Sequence, residues 1–192
     1  MNYFLKDGDE RFTREGKEEN FDLLQFWRWA MSNLLDNVNR GTLAEFIVAK
    51  ALGIELTKQR SSWDSYDLET ADGIKIEVKS SAFLQSWDQK KHSTPSFKIP
   101  KTRSYCYETN QYTNEPKRQA DIYVFALFSH TDKETADPMN FDQWSFYATS
   151  TKRIEHLAGK SRSISLATLK RMGLKPRSFS ELSEEVKIIS AS

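Results

Sequence analysis

Two short segments of alternating polarity, joined by a turn sequence, constrain the fold more than any other feature of the chain. Residues 66–70 (YDLET) and 74–79 (IKIEVK) place polar and apolar side chains in turn, which is the period of a β-strand. Between them lies the sequence Ala71-Asp72-Gly73, and an Asp-Gly pair favours a tight reversal of the chain. The pattern therefore predicts a β-hairpin.

The register of this hairpin depends on how many residues form its loop. If Asp72 and Gly73 alone form the loop, Asp67 faces Val78, and both faces of the hairpin mix polar with apolar side chains. If Ala71 joins the loop and Gly73 adopts the left-handed conformation, Asp67 pairs with Glu77, and each face is consistent. We predict the second register, and a backbone pairing of Asp67 with Val78 would refute it.

The predicted register brings two carboxylates together. Asp67 and Glu77 would have Cβ atoms about 5 Å apart, as cross-strand neighbours do. Two adjacent carboxylates repel each other, but they can share a hard divalent cation such as Mg²⁺. Lys79 lies on the same face, two residues along the strand, where its ammonium can orient a water or balance charge on a phosphate. The alternative to a metal site is a solvated hairpin face with cross-strand salt bridges.

Upstream of the hairpin the apolar residues follow a helical period. It runs from Phe21 to Val38, and a second helix is predicted over about 40–52. Asn39 is the predicted N-cap of this second helix, and Gly53 stands where a glycine commonly ends one.

Downstream of the hairpin the chain predicts further strands and then short helices. Residues 84–118 form a long polar segment with some strand character near Phe97, and residues 121–128 (DIYVFALF) predict a buried central strand. The remaining predictions are an exposed loop over 130–142, a strand over 143–149, helices near 151–157 and 165–172, and a last helix from Ser178, with Ser178 and Glu181 as a capping box. The order of elements predicts a mixed α/β domain around one sheet.

The hairpin and its preceding helix resemble a known nuclease signature. Asp67, followed after the turn by Glu77-Val78-Lys79, is similar to the motif of the PD-(D/E)xK nuclease superfamily. Residues 40–45 (RGTLAE) resemble the helical element that precedes the core strands in that superfamily, with Glu45 as the matching residue. The resemblance covers about 39–82, and residues 121–128 show a weaker similarity. Tyr66 stands where the motif has proline, so one mark of the signature is missing.

This resemblance implies a fold, an activity and a set of roles. The fold would be a restriction-endonuclease-like mixed sheet flanked by helices in a single domain, and the activity would be hydrolysis of nucleic acid. Asp67, Glu77 and the Val78 carbonyl would bind Mg²⁺ or Mn²⁺, Glu45 would assist through a metal-bound water, and Lys79 would orient the nucleophile. Many members are dimers that cut both strands, so a homodimer is also compatible with the resemblance.

A basic and aromatic stretch follows the candidate site in the chain. Residues 90–118 interleave Lys and Arg with Tyr and Phe, a mixture that suits phosphate contact and base stacking. The residues predicted to contact nucleic acid are Ser81, Gln85, Lys90, Lys91, Arg103, Lys117 and Arg118. An ordinary solvated loop whose aromatic side chains enter the core is the alternative.

Composition excludes several other classes of protein. The 192 residues carry a net charge of +1 and no apolar run long enough for a membrane span, so neither a globally basic nucleic-acid binder nor a membrane protein is expected. The single cysteine, Cys106, cannot form an internal disulfide, and no signal peptide is visible, so we expect a cytoplasmic protein. No Gly-x-Ser-x-Gly motif or glycine-rich phosphate loop is present.

These observations together predict a metal-dependent nuclease, with DNA as the expected substrate and an endonuclease as the expected type. Residues 1–20 are predicted as a polar N-terminal arm and 21–192 as the nuclease-like domain, with its core motif region at 39–128. Two alternatives are a nuclease fold without activity that binds nucleic acid or protein, and an interaction or immunity-type protein in which the acidic pair has no function.

Overall fold

A mixed four-stranded sheet forms the centre of the protein in the computed structural model, which describes residues 4–61, 64–106 and 110–191. Within these residues the strands are β1 (Arg11–Arg14), β2 (Lys17–Asp22), β3 (Leu68–Glu69), β4 (Lys75–Ala82), β5 (Ser96–Lys98), β6 (Tyr105–Cys106), β7 (Gln111–Tyr112), β8 (Ile122–Phe128), β9 (Trp144–Ser150) and β10 (Ser163–Ser165). The helices are α1 (Leu23–Met31), α2 (Asn37–Ala51), α3 (Thr151–Ala158), α4 (Leu166–Arg171) and α5 (Leu182–Ser190), with a 3-10 turn at Phe141–Gln143.

The central sheet has the order β3-β4-β8-β9. β4 and β8 are parallel, and the two outer pairs are antiparallel. All seven residues of β8 are buried, as expected for a strand that is covered on both faces. The mixed sheet flanked by helices confirms the predicted α/β class, and the predicted strands at 121–128 and 143–149 are confirmed as β8 and β9.

The hairpin that leads into β4 has the predicted loop. Leu68 lies opposite Ile76 and Glu69 opposite Lys75, and Gly73 has a φ of 78°, which confirms the register with the three-residue loop. The strand pairing covers only these two pairs. Beyond it the backbone N–H of Asp67 donates to the carbonyl of Ile76 at 3.0 Å, so Asp67 is still tied to β4 where the ladder ends.

Each face of the sheet is covered by its own hydrophobic core. The first core packs α2 and α5 against β4, β8 and β9, through residues that include Ile47, Val48, Ile76, Val78, Val124, Phe128, Phe146, Leu182 and Val186. The second core packs β5, β10, α3 and α4 against the other face, through residues that include Phe97, Tyr123, Phe125, Leu127, Ile154, Ile164 and Leu169. The sheet is therefore a buried middle layer, and its polar residues stand out as exceptions.

The N-terminal region differs from the prediction. Residues 11–22 form the β1–β2 hairpin, with Glu15 and Gly16 both at positive φ in its turn, and the sequence pattern did not predict these two strands. The helical period from Phe21 is also interrupted, because α1 ends at Met31 and α2 begins at Asn37. The apolar residues keep their helical spacing between α1 and α2, so the sequence pattern does not indicate the break.

The ends of the helices agree with the prediction at some positions and differ at others. The N-cap of α2 is Asp36, whose carboxylate accepts hydrogen bonds from the N–H groups of Val38 and Asn39, so the prediction of Asn39 as the cap is wrong. Gly53 has a φ of 69° just after α2, as predicted. Ser178 does bond to Glu181, but as a turn that precedes α5, which begins at Leu182. No helix among the described residues has both the length and the apolar character that a membrane span requires.

Candidate active site

The predicted acidic residues reach the same region from three elements. α2 supplies Glu45, the segment that enters β3 supplies Asp67, and β4 supplies Glu77 and Lys79. The alternation along β4 sends Ile76 and Val78 into the first core. Glu77 and Lys79 point the opposite way and keep 18% and 29% of their side chains exposed, so their charged groups are largely buried but still reach solvent.

Lys79 connects the two carboxylates of the hairpin. Its Nζ lies 3.8 Å from Oδ2 of Asp67 and is in direct ionic contact with Oε1 of Glu77. The backbone N–H of Val78 donates to Oδ2 of Asp67 at 2.7 Å, which fixes the orientation of this carboxylate. The structure therefore brings Asp67, Glu77 and Lys79 together, as the hairpin register predicts.

Burial and mutual repulsion shape the protonation of these groups. Burial raises the pKa of Glu77, and the neighbouring Asp67 carboxylate raises it further against the opposing effect of Lys79. Burial alone would lower the pKa of Lys79, but the charges of Asp67 and Glu77 outweigh it and hold the pKa above its ordinary value. Lys79 is therefore an ammonium at neutral pH.

Glu45 belongs to the same electrostatic cluster but has its own cationic partner. The guanidinium of Arg60 donates to both of its carboxylate oxygens, from Nε at 2.5 Å and from Nη2 at 2.7 Å. Burial raises the pKa of Glu45, and the Asp67 charge contributes in the same direction. Arg60 was not singled out from the sequence, because residues 53–65 have no periodic pattern that would place it against α2.

A groove of about 590 Å³ opens beside this cluster. Its lining includes Glu45, Asp67 and Arg60, together with apolar residues such as Phe46 and Leu68. The groove therefore gives Glu45 and Asp67 a common open space, large enough for part of a nucleotide chain.

The chemistry of the donors fits a hard divalent cation, but the side chains do not gather as a ready site. Asp67 and Glu77 offer the carboxylate oxygens that Mg²⁺ takes from proteins, usually together with water. In the structure each carboxylate has a cationic neighbour: Lys79 contacts Glu77 and Asp67, and Arg60 contacts Glu45. Within the described ranges, no group of three or more His, Cys, Asp or Glu side chains is arranged to hold a metal ion.

Tyr123 is a second residue that the sequence did not indicate for the site. It lies directly beside Glu77 in the parallel pairing of β4 with β8, so the two side chains share a face of the sheet. Its ring is buried in the second core, and burial together with the Glu77 charge raises the pKa of its phenol. Only the assembled sheet shows this neighbour, because the two residues are far apart in the chain.

Two of the residues predicted to contact nucleic acid are buried instead. Arg118 has no exposed side-chain surface, and its guanidinium donates to Glu155 and to the carbonyls of Ile99, Gly159 and Ser161. Gln85 is also buried, and its amide donates to the carbonyl of Ala82 and to the hydroxyl of Ser93. Neither side chain can reach a phosphate in this arrangement, so both predictions are corrected to structural roles.

The other predicted contacts remain accessible. Lys90, Lys91, Arg103 and Lys117 are exposed. Ser81 is partly exposed on β4, and its hydroxyl accepts a hydrogen bond from the N–H of Ser96 at 3.2 Å. The structure therefore leaves four basic side chains that are free to approach a polyanion, without placing them against the acidic cluster.

Comparison with known proteins identifies a family for the chain. The model of the bacteriophage T4 endonuclease IV family matches residues 7–167, which is most of the chain and includes Glu45, Asp67, Glu77 and Lys79. No curated protein matches the chain. Because the family match spans well over half of its length, the chain belongs to the bacteriophage T4 endonuclease IV family, a family of nucleases.

Proposed function

We propose that the protein is a metal-dependent DNA endonuclease with an active site of the PD-(D/E)xK type. The observation that carries the proposal is the position of Lys79, in direct contact with Glu77 and 3.8 Å from Asp67 at the end of the β3–β4 hairpin. The family match supports the nuclease activity and its endonuclease character. The type of site and the metal requirement rest on the residues alone.

In this proposal Asp67, Glu77 and the carbonyl of Val78 would hold the metal, and the Glu45 carboxylate would assist them from α2. When bound, Mg²⁺ or Mn²⁺ supplies Lewis-acid stabilisation for the charge that develops on the phosphate oxygens. The hydrogen bond from the Val78 N–H keeps the Asp67 carboxylate turned towards β4. Glu77 would be available to a metal only if its ion pair with Lys79 opened.

Lys79 then acts on the reacting phosphate. Its raised pKa keeps it protonated, so it donates hydrogen bonds and does not serve as a base. The oxygen of the attacking water bonds to phosphorus as the bond to the leaving oxygen in line with it breaks, and a proton of the water passes to solvent. The Lys79 ammonium stabilises the negative charge that builds up on the phosphate in this step. The exposed Lys90, Lys91, Arg103 and Lys117 supply further phosphate contacts along the substrate.

One observation favours a second candidate function. Glu77 and Glu45 are each paired with a cation, an arrangement that a nuclease fold without catalytic activity would also have. In that case the protein is a module that binds nucleic acid or another protein, and its carboxylates serve only stability.

Cleavage by matched variants tests the proposal. We expect the wild type to cut DNA in the presence of Mg²⁺ or Mn²⁺, and Glu77→Gln and Lys79→Met to lower the rate by about 10²–10³-fold or more. Glu69→Gln is the matched control, because Glu69 is an exposed carboxylate on the same hairpin, opposite Lys75. Circular plasmid, single-stranded DNA and RNA serve as substrates, and opening of the circular plasmid distinguishes internal cutting from exonuclease action.

Two results would contradict the proposal. Metal-dependent cleavage that persists at the wild-type rate in Glu77→Gln and Lys79→Met would place the activity elsewhere. DNA binding by a wild type that cuts none of the substrates under any metal would favour the inactive module.

A further inference from the structure

The first described residues form a unit that buries very little of its apolar surface. This N-terminal unit consists of residues 4–31, which include the β1–β2 hairpin and α1. Backbone hydrogen bonds from Leu23 to Glu10 and from Leu24 to Gly8 hold its parts together. Its exposed large apolar side chains are Phe4, Leu5, Phe12, Phe21, Leu24, Phe26, Trp29 and Met31.

The helix of this unit is apolar around most of its circumference, yet none of its residues is buried. Only Gln25 and Arg28 are polar among its nine residues. One side contacts the hairpin region, where Gly8 allows the Trp27 ring so close that an added Cβ would lie 3.0 Å from it. The opposite side presents Phe26 and Trp29, and Trp29 is 84% exposed. A helix with apolar residues on nearly every side is normally covered on every side.

The unit also lacks the packing that its elements need. Isolated helices shorter than about 12–15 residues are marginal in water, and an isolated two-stranded hairpin is marginal as well. All four residues of β1 are exposed, and the Phe12–Phe21 ring pair across the hairpin, at 5.1 Å, leaves both rings open to solvent. Further burial against a partner would supply the stabilisation that the single chain does not give.

Charge distinguishes between kinds of partner. The unit has seven acidic and five basic residues, so it repels a polyanion even though aromatic side chains can stack on bases. Its charges are also divided: β1 carries Arg11 and Arg14, whereas β2 carries three acidic residues and the single cation Lys17. Arg14 pairs with Glu19 of the same hairpin at 2.8 Å, which leaves Arg11 on β1 and Glu18 on β2 as exposed opposite charges. Two copies related by a twofold axis can place Arg11 of each copy against Glu18 of the other, as a self-complementary interface requires.

We propose that the N-terminal unit is the interface of a homodimer, with the exposed face of α1 around Phe26 and Trp29 at its centre. Aromatic side chains at the centre of an interface commonly dominate its binding energy. The interface does not depend on catalysis, so it stands or falls separately from the proposed nuclease activity.

Sedimentation equilibrium of the full chain tests this interface. We expect the wild type to sediment at twice the 22.3 kDa of one chain, and Trp29→Gln to raise the dissociation constant by about 30-fold or more. Trp87→Gln is the matched control, because Trp87 is 55% exposed and lies outside the unit. Far-UV circular dichroism of each variant checks that the fold is retained, and Phe26→Gln provides a second variant of the same face.

Several outcomes would overturn the proposal. A wild type that stays monomeric at every concentration would do so, and so would a Trp29→Gln variant that dimerises as tightly as Trp87→Gln. A monomer whose Trp29 fluorescence is quenched by an oligonucleotide, and not by its own concentration, would assign the face to nucleic acid instead.

Discussion

At the scale of single residues, the buried guanidinium of Arg118 is a cation whose burial requires hydrogen-bond acceptors around it. Its guanidinium donates to one carboxylate and three carbonyls, and no part of its side chain is exposed. Arg118→Ala would leave those acceptors without their donor. We expect the free energy of unfolding to fall by about 1–3 kcal/mol, measured by urea denaturation.

The exposed Arg103 provides the control for this effect. Arg103→Ala should change the free energy of unfolding by less than about 0.5 kcal/mol, since its side chain lies at the surface. Arg118→Lys should also lower the free energy of unfolding, because an ammonium cannot donate to all of the acceptors that the planar guanidinium reaches. If Arg118→Ala were as stable as Arg103→Ala, the buried network would contribute nothing.

The carboxylate partner of Arg118 makes stability depend on pH. Burial alone raises the pKa of Glu155, but hydrogen bonds from Lys101 and Arg118 outweigh it and bring the pKa below its ordinary value of 4.5. The ionised carboxylate therefore stabilises the fold fully above that value, and this stability is lost as the pH falls through the lowered pKa. Urea denaturation between pH 6 and about pH 3 should show the loss, and Glu155→Gln should make the profile flatter. An identical slope in both proteins would contradict this assignment.

The residues of the candidate site differ in how far the sequence could reveal them. Asp67, Glu77 and Lys79 follow from the two-residue period of a hairpin and the position of Gly73, which are local properties. Arg60 reaches Glu45 from a segment without any period, so nothing in the sequence pairs them. The sequence places Arg118 in a basic and polar stretch, which is typical of a surface cation. Only its tertiary contacts show that it is buried.

At the scale of the element, the start of α2 offers a direct test of helix capping. Oδ1 of Asp36 accepts from the N–H of Val38 at 2.9 Å and from that of Asn39 at 3.4 Å. We expect Asp36→Ala to lower the free energy of unfolding by about 0.5–2 kcal/mol, because these N–H groups lose their acceptor. Thermal or urea unfolding measures the change.

Asp36→Asn is the matched control, since asparagine caps helices about as well as aspartate. A loss of stability in Asp36→Asn equal to that in Asp36→Ala would show that the charge, and not the cap, matters at this position. The charge is a real alternative, because Asp36 also lies near the buried guanidinium of Arg40.

Elements with strong local signals were predicted well, and those without them were not. Gly53 and Gly73 both have positive φ, the first just after α2 and the second in the hairpin loop, where the sequence predicts them. The β1–β2 hairpin was missed because its strands carry charged residues on both faces and have no buried side to give a clean alternation. Its turn at Glu15 and Gly16 was the one available signal.

At the scale of the whole molecule, long-range pairing decides what surrounds the site. The parallel contact of β4 with β8 puts Tyr123 beside Glu77 and Phe125 beside Lys79. The pairing of β5 with β10 closes the second core over that face of the sheet. No local pattern encodes these contacts, so the sequence predicts the class of fold but not the depth at which the acidic residues lie.

A metal held by these partly buried carboxylates would stabilise the folded state, and this effect can be measured. A ligand that binds only the folded state stabilises it by about 2.7 kcal/mol at 100 times its dissociation constant, which corresponds to about 5–10 °C in the melting temperature of a protein of this size. If Asp67 and Glu77 hold a divalent cation, Mg²⁺ or Mn²⁺ should raise the melting temperature of the wild type and of Glu69→Gln, and not that of Glu77→Gln. Calorimetric scans with and without EDTA would measure these shifts. Equal shifts in all three proteins would mean that the cation binds elsewhere, and no shift in any of them would remove the support for a metal site between the two carboxylates.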